Sequence, residues 1–434
     1  MLSGINKKLY LSVLTLNLIP VIYTTLRLFW LGQLPDEWGV NIASQFIFIS
    51  IIVEVLEEAL ILPLYAVFKD RLSCVWKTGL RIVASIYIVF AFFMILMTPV
   101  LVKSIGLEIS AQPMVVDYVR LEVVGLLFMG LNKYIVTTLT SSQSNKALYG
   151  YAILETIHVL CFDFALFSSF APINLGVNGI AISNICVQSL LFLGMMIFIN
   201  MRNIVPIQEK SMDKGWIKDW IRSGFYSGAT SFVNNAFYFY MIVRMVNTVQ
   251  SQGYYWTANN FIWGILLVPI LSLGSVVKSE RAKLGTAFNM KPYAYLTLII
   301  LGGWILSIPL WKPFVEHIYL CDEPTLVFNL LLLLVPFYFF FSINNLWDSY
   351  FYSTGKTENM LLQSVICHLI VYVPAFFLYI FKIWTPTLYT IALLFGSGMF
   401  VDSIVTYFLY RRQLRKEASE LETSEQKSKT IVSC

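Results

Sequence analysis

Three carboxylates, Glu54, Glu57 and Glu58, fall within five residues of an otherwise apolar run. At 100° per residue they share one helix face, an arc of roughly 100°. Away from bulk water, three acids this close cannot all stay ionised, which makes the set a proton-binding candidate. Lining a wet vestibule, or pairing with a neighbouring Arg, accounts for it equally well. A second group, Glu155, His158 and Asp163, lies in another apolar run. Histidine titrates in the physiological range, and the lone Glu155-x-x-His158 spacing is too sparse for a metal site. Arg27 and Arg244 either snorkel to headgroups from a helix end or face a cavity and attract an anionic substrate. The second half carries amide pairs, Asn234-Asn235, Asn259-Asn260 and Asn344-Asn345, with Asp348 and Asp402 as isolated acids. Amides can hold sodium with backbone carbonyls or contact substrate, and more commonly they hydrogen-bond helices together.

The elements that position these groups are apolar runs, and there are twelve: residues 9–31, 40–68, 80–102, 114–139, 147–170, 175–199, 216–246, 255–277, 293–310, 325–351, 360–381 and 386–410. About 20 apolar residues at ~1.5 Å rise each cross a bilayer, and only a helix satisfies its own backbone there. The fold class is therefore an all-α polytopic membrane protein. Composition agrees, with 58% hydrophobic and 13% charged residues. The first run is too long for a signal-peptide core and is expected to be retained. An ionisable group within such runs is costly, so each is a functional candidate.

Alternate loops differ in Lys and Arg. One set carries 23 of them, whereas the opposite set carries only Lys103, Lys312 and Lys382. Positive loops stay cytoplasmic, so both termini are expected in the cytoplasm of a cell-membrane protein, a bacterial inner membrane being the natural setting. The net charge of +5 therefore reflects topology and gives no reason to expect nucleic acid as a partner. The longest break divides the runs six and six, giving an amino-terminal lobe (1–201), a linker (202–215), a carboxy-terminal lobe (216–411) and a cytoplasmic tail (412–434) expected as disorder or frayed helix. The junctions after the fourth and tenth runs resemble each other. Leu131-Asn132, Ser144-Asn145-Lys146 and His158 recur as Ile343-Asn344, Thr354-Gly355-Lys356 and His368. Such duplication is common in transporters that rock two bundles about a central cavity.

These residues also carry a family resemblance. Phe162-Asp163-Phe164-Ala165-Leu166 followed by Leu175-Gly176-Val177-Asn178-Gly179-Ile180-Ala181-Ile182-Ser183 resembles the fifth-to-sixth helix passage of the multidrug and toxic compound extrusion (MATE) exporters. Ser353-Thr354-Gly355-Lys356-Thr357 is similar to the family's junction of helices ten and eleven, and Asn259-Asn260-Phe261-Ile262-Trp263-Gly264 with Val268-Pro269-Ile270 looks like its eighth helix. The resemblance implies two six-helix lobes in a V, alternating access, and efflux driven by sodium or protons. It places Asp163 on the acid of the amino lobe where cation or proton binding drives the cycle. The sequence departs from the pattern at Val159, often Asn in the family, and at Arg27, which stands where a first-helix acid is expected. Arg cannot take a proton or cation in place of a carboxylate. We expect it to pair with Asp163 or with the Glu54–Glu58 set.

Other classes fit poorly. No Walker-type Gly-Lys-Ser/Thr loop is present, no soluble segment is long enough to hold an enzyme, and no cofactor is called for. Six cysteines without CxxC spacing read as buried free thiols. Aromatics crowd the seventh and tenth runs, among them Tyr238, Tyr240, Tyr338 and Trp347, where they pack, sit in an interfacial belt or hold organic cations. Pro20, Pro63, Pro269, Pro336 and Pro374 are expected bend points. The expectation is a monomeric secondary exporter of small amphipathic or cationic solutes in the lipid bilayer. The rival is a flippase for a lipid-linked anionic oligosaccharide, a different branch of the same superfamily.

Overall fold

The computed structural model describes residues 4–31, 46–68, 71–104, 112–168, 175–205, 215–243, 251–319 and 323–432, with a few single positions between them. Arg244 and most of the 202–215 linker lie outside the described residues. Twelve helical segments follow in order among them. We number them α1 (Lys7–Leu31), α2 (Phe46–Leu60 with Leu64–Phe68), α3 (Leu72–Ser104), α4 (Gln112–Ser141), α5 (Asn145–Leu166) and α6 (Val177–Met201). They continue as α7 (Gly215–Phe237 with Tyr238–Val243), α8 (Gln252–Phe261, Ile262–Leu266 and Val268–Leu284), α9 (Lys291–His317) and α10 (Pro324–Thr354). The last two are α11 (Glu358–Cys367, His368–Tyr372 and Val373–Ile380) and α12 (Leu388–Val432). The chain is thus an all-α polytopic membrane protein, as its apolar runs predict.

Seven of these helices are long and apolar enough to cross a bilayer on their own, and α8, bent by 48°, makes an eighth. The remaining four are α1, α2, α4 and α7, of which α2 is divided into two short pieces. The lipid-facing character of the others is visible on α3, which turns Val89, Phe92, Phe93 and Val100 outward.

Helix irregularities have identifiable causes. Pro63 sits in the turn that interrupts α2, Pro269 just past the bend of α8, and Pro374 just past the π turn of α11. Pro20 and Pro336 lie inside continuous helices. π turns at Tyr238–Val243, Ile262–Leu266 and His368–Tyr372 interrupt α7, α8 and α11, all in the second half. The tail does not unravel at 412. It continues as helix to Val432, favoured by good helix formers and a Gln413–Glu417 hydrogen bond one turn apart. The described cysteines are free, but Cys74 and Cys161 are exposed and only Cys367 is buried, which corrects the expectation of buried thiols.

Contacts divide the chain into two compact units. The first comprises Ser3–Phe232 and Leu271–Asn289, and the second comprises Val233–Ile270 and Met290–Cys434 apart from two residues at the amino terminus. The start of α7 belongs to the first unit because it packs on α2, where Trp220 Nε1 donates to the Leu60 carbonyl at 3.0 Å. The end of α8 does so because it packs on the α4–α5 hairpin, with Ser279 Oγ donating to the Thr140 carbonyl at 2.9 Å. Helix pairing repeats six helices on. α4 packs on α3, α5 and α6 as α10 packs on α9, α11 and α12, and α5 packs on α6 as α11 packs on α12.

Candidate ion-coupling site

Arg27 on α1 and Asp163 on α5 meet because these two helices pack side by side. The guanidinium forks the carboxylate, with Nε to Oδ2 and Nη2 to Oδ1 both at 2.8 Å. Its remaining nitrogen, Nη1, donates to Asn184 Oδ1 on α6 at 2.9 Å. Ser183, beside Asn184, donates to Asp163 Oδ1. α6 reaches this depth through close approach. A Cβ at Gly179 would lie 2.6 Å from the Leu166 carbonyl oxygen at the end of α5. The pairing expected for Arg27 is therefore present, and the partner is Asp163.

The network continues to a residue that sequence reasoning missed. Asn184 Nδ2 donates to both carboxylate oxygens of Glu122 on α4 at 2.9 Å, and the Tyr118 hydroxyl also hydrogen-bonds Glu122. α4 and α6 come close enough for this one turn away, where Gly125 faces Asn184 Cβ. Glu122 is buried, and its neighbours Tyr118, Val119 and Val123 belong to an apolar cluster with Val53, Ala91, Phe167 and Ile180. Trp30 packs edge-on against Phe167 and helps close this cluster.

The electrostatics follow from counting charges. One guanidinium serves Asp163 directly and Glu122 only through an amide. Ionised together, the two buried carboxylates exceed it by one charge. In an apolar enclosure such an excess is costly unless something cancels it. A proton on Glu122, or a small cation beside it, would do so.

The other candidates occupy separate places. Glu155 is buried and accepts from Gln188 Nε2 at 3.5 Å, while Asn132 Nδ2 donates to both the Gln188 carbonyl and Oε1 at 2.8 Å. His158 Nδ1 is buried without a hydrogen-bond partner among the described residues. Glu57 forms an ion pair with Lys133 of α4, a second intramembrane charge that sequence reasoning passed over. Glu58 accepts from Ser227 of α7 at 3.1 Å, and Glu54 is exposed. The glutamates of α2 are thus divided among different partners, and none of them is the partner of Arg27. No group of three or more His, Cys, Asp or Glu that could hold a metal occurs among the described residues.

In the second unit, Asn344 Nδ2 donates to Asp348 Oδ2 at 3.0 Å and to Asp402 Oδ2 at 2.9 Å, so the two acids that look isolated in sequence share one amide. Gln363 donates to Asp348 Oδ1 at 3.1 Å and accepts from Thr406 at 2.8 Å. The amide pairs mostly join helices. Asn234 accepts from Ser364 at 2.6 Å, Asn259 accepts from Tyr338 at 3.2 Å, and Asn345 donates to the Ile270 carbonyl at 3.2 Å. Asn235 is half-buried and Asn260 exposed. His368 takes its own α11 carbonyl at Ser364 and packs against Phe237 and Tyr372.

No protein-family model and no curated protein sequence matches the chain. Solved structures do match. A MOP superfamily transporter from Pyrococcus furiosus, described as having a binding pocket of reverse polarity that suggests a different function, aligns over 94% of this chain and 95% of its own at 16% identity and a TM-score of 0.78. An outward-facing multidrug resistance MATE family transporter of the same superfamily gives the same coverage, identity and score. A mutant of MATE aligns over 96% of this chain and 97% of its own at 18% identity and a TM-score of 0.78. The chain is a polytopic helical membrane protein, and its fold is that of the MATE transporters of the MOP superfamily.

Proposed function

We propose that this protein is a secondary active exporter of the MATE type, moving small amphipathic or cationic solutes outward by alternating access against an inward sodium or proton gradient. The observation that carries the reading is the buried Arg27–Asp163–Asn184–Glu122 network within this fold. A family acid is replaced by Arg27, and the charge it brings is consumed by Asp163, so the exchangeable ion belongs at Glu122. Glu155 and His158, the α2 glutamates, and in the second half Asp348 with Asn234, Asn235, Asn259, Asn260 and Asn344 are the remaining coupling or substrate-contact candidates. Two lobes, 1–201 and 216–411, would rock about the cavity, in a cell membrane with both termini cytoplasmic, as a monomer without a cofactor.

The flippase reading needs cationic side chains facing a lipid-open cavity. Arg27, the described one of the two arginines, gives all three of its guanidinium nitrogens to Asp163 and Asn184 instead. The test is flux of ethidium, as a model organic cation, in proteoliposomes with sodium and pH gradients imposed separately. Uphill movement under one of the two gradients is expected. Absence of movement under either, together with transbilayer movement of a lipid-linked anionic glycan, would replace the exporter by the flippase.

A further inference from the structure

The face of α12 just beyond its membrane-spanning part holds four cations close together. Arg411, Arg412, Arg415 and Lys416, with Phe408 and Ser419, line an open cavity of about 400 Å³. At 100° per residue these six positions fall on one side of the helix. Within residues 4–419, as far as their side chains are described, no carboxylate forms an ion pair with any of the four cations.

A second observation sets the depth of this face. Trp347 and Tyr350 of α10 pack against Tyr407 and Tyr410 of α12, with Trp347 stacked on Tyr410 at a ring-centroid distance of 6.1 Å and 23° between planes, and Tyr350 edge-on to Tyr410 at 5.0 Å. A Trp/Tyr cluster at the end of two apolar helices marks the membrane–water boundary. The step from Tyr410 to Lys416 rises about 9 Å, comparable with the depth of a headgroup layer. Phe408, 66% exposed, lies on the same face on the apolar side of that boundary.

We propose that Arg411, Arg412, Arg415 and Lys416 bind the headgroup of an anionic phospholipid, with Phe408 against its acyl chain. Guanidinium groups suit phosphate because each offers a planar fork of donors. Positive charge that served topology alone would not call for an exposed apolar residue on the same face.

The test uses full-length protein in mild detergent, incubated with equal phosphatidylglycerol and phosphatidylcholine, and bound lipid counted by native mass spectrometry. Wild type should retain phosphatidylglycerol over phosphatidylcholine by roughly tenfold or more, as several surface cations acting together imply. The variant carrying R411Q, R412Q, R415Q and K416Q should lose that preference at an unchanged thermal midpoint. Should it not fold, the R411Q, R415Q pair gives the same comparison at reduced amplitude. Equal retention of both lipids by wild type, or an unchanged preference in the variants, would overturn the proposal. Full displacement of phosphatidylglycerol by millimolar inorganic phosphate would overturn it too, since the site would then be one for free phosphate.

Discussion

At the scale of single residues, Arg27 and Glu122 behave differently because one is a built-in cation and the other a buried acid reached only through an amide. Removing Arg27 leaves Asp163 buried with Ser183 as its remaining donor. We predict that Arg27→Gln destabilises the protein by about 3–5 kcal/mol, the usual cost of breaking a buried pair from one side. It should appear as a lower unfolding midpoint in detergent. Arg27→Gln combined with Asp163→Asn should recover a large part of the loss, because no lone charge remains. A double variant as unstable as the single one would show that the pair matters for shape and not for charge. Arg27→Lys should not substitute, since an ammonium cannot fork Asp163 and reach Asn184 together. By contrast, Glu57→Gln leaves Lys133 an amide oxygen as acceptor in a pair only partly enclosed by protein, so a smaller loss than that of Arg27→Gln is expected.

At the scale of elements, close helix approach is what assembles the network. Gly179 brings the start of α6 against the end of α5, and a Cβ there would meet the Leu166 carbonyl oxygen at 2.6 Å. Gly179→Ala should therefore cost about 1–3 kcal/mol by overpacking, read as a lowered midpoint, and should weaken transport by shifting Ser183 and Asn184 away from Asp163. An unaltered midpoint and flux would mean the helix end yields without moving the site. This scale also shows where the sequence is readable. The twelve helices are legible because bilayer thickness dictates run length, and the Arg27–Asp163 pair because both charges stand in apolar runs and need a partner. Glu122 is hidden. It is one of several charges along α4, and nothing in a single sequence says that its face meets Asn184. Asp348 and Asp402 look isolated for the same reason, since their shared partner, Asn344, depends on how α10 packs on α12. The π turns of α7, α8 and α11 leave no periodic signature either, because each inserts one residue into a helix whose apolar run is unbroken.

At the scale of the whole molecule, the proposed exchange of an ion for a solute would use the repeated helix pairing and the buried carboxylates that outnumber their one guanidinium. Glu122 is the residue on which the proposed coupling rests. The measurement is ethidium flux in proteoliposomes under an imposed pH gradient and, separately, a sodium gradient, comparing wild type with Glu122→Gln and Asp163→Asn. Wild type should drive uphill flux under one gradient. Glu122→Gln should fold and bind ethidium with little change, because Gln keeps the shape of the side chain, and should lose gradient-driven flux. Gradient-driven flux that persists at the wild-type rate in Glu122→Gln would contradict the account, and would move the coupling ion to the α2 glutamates or to Asp348 and its amide neighbours.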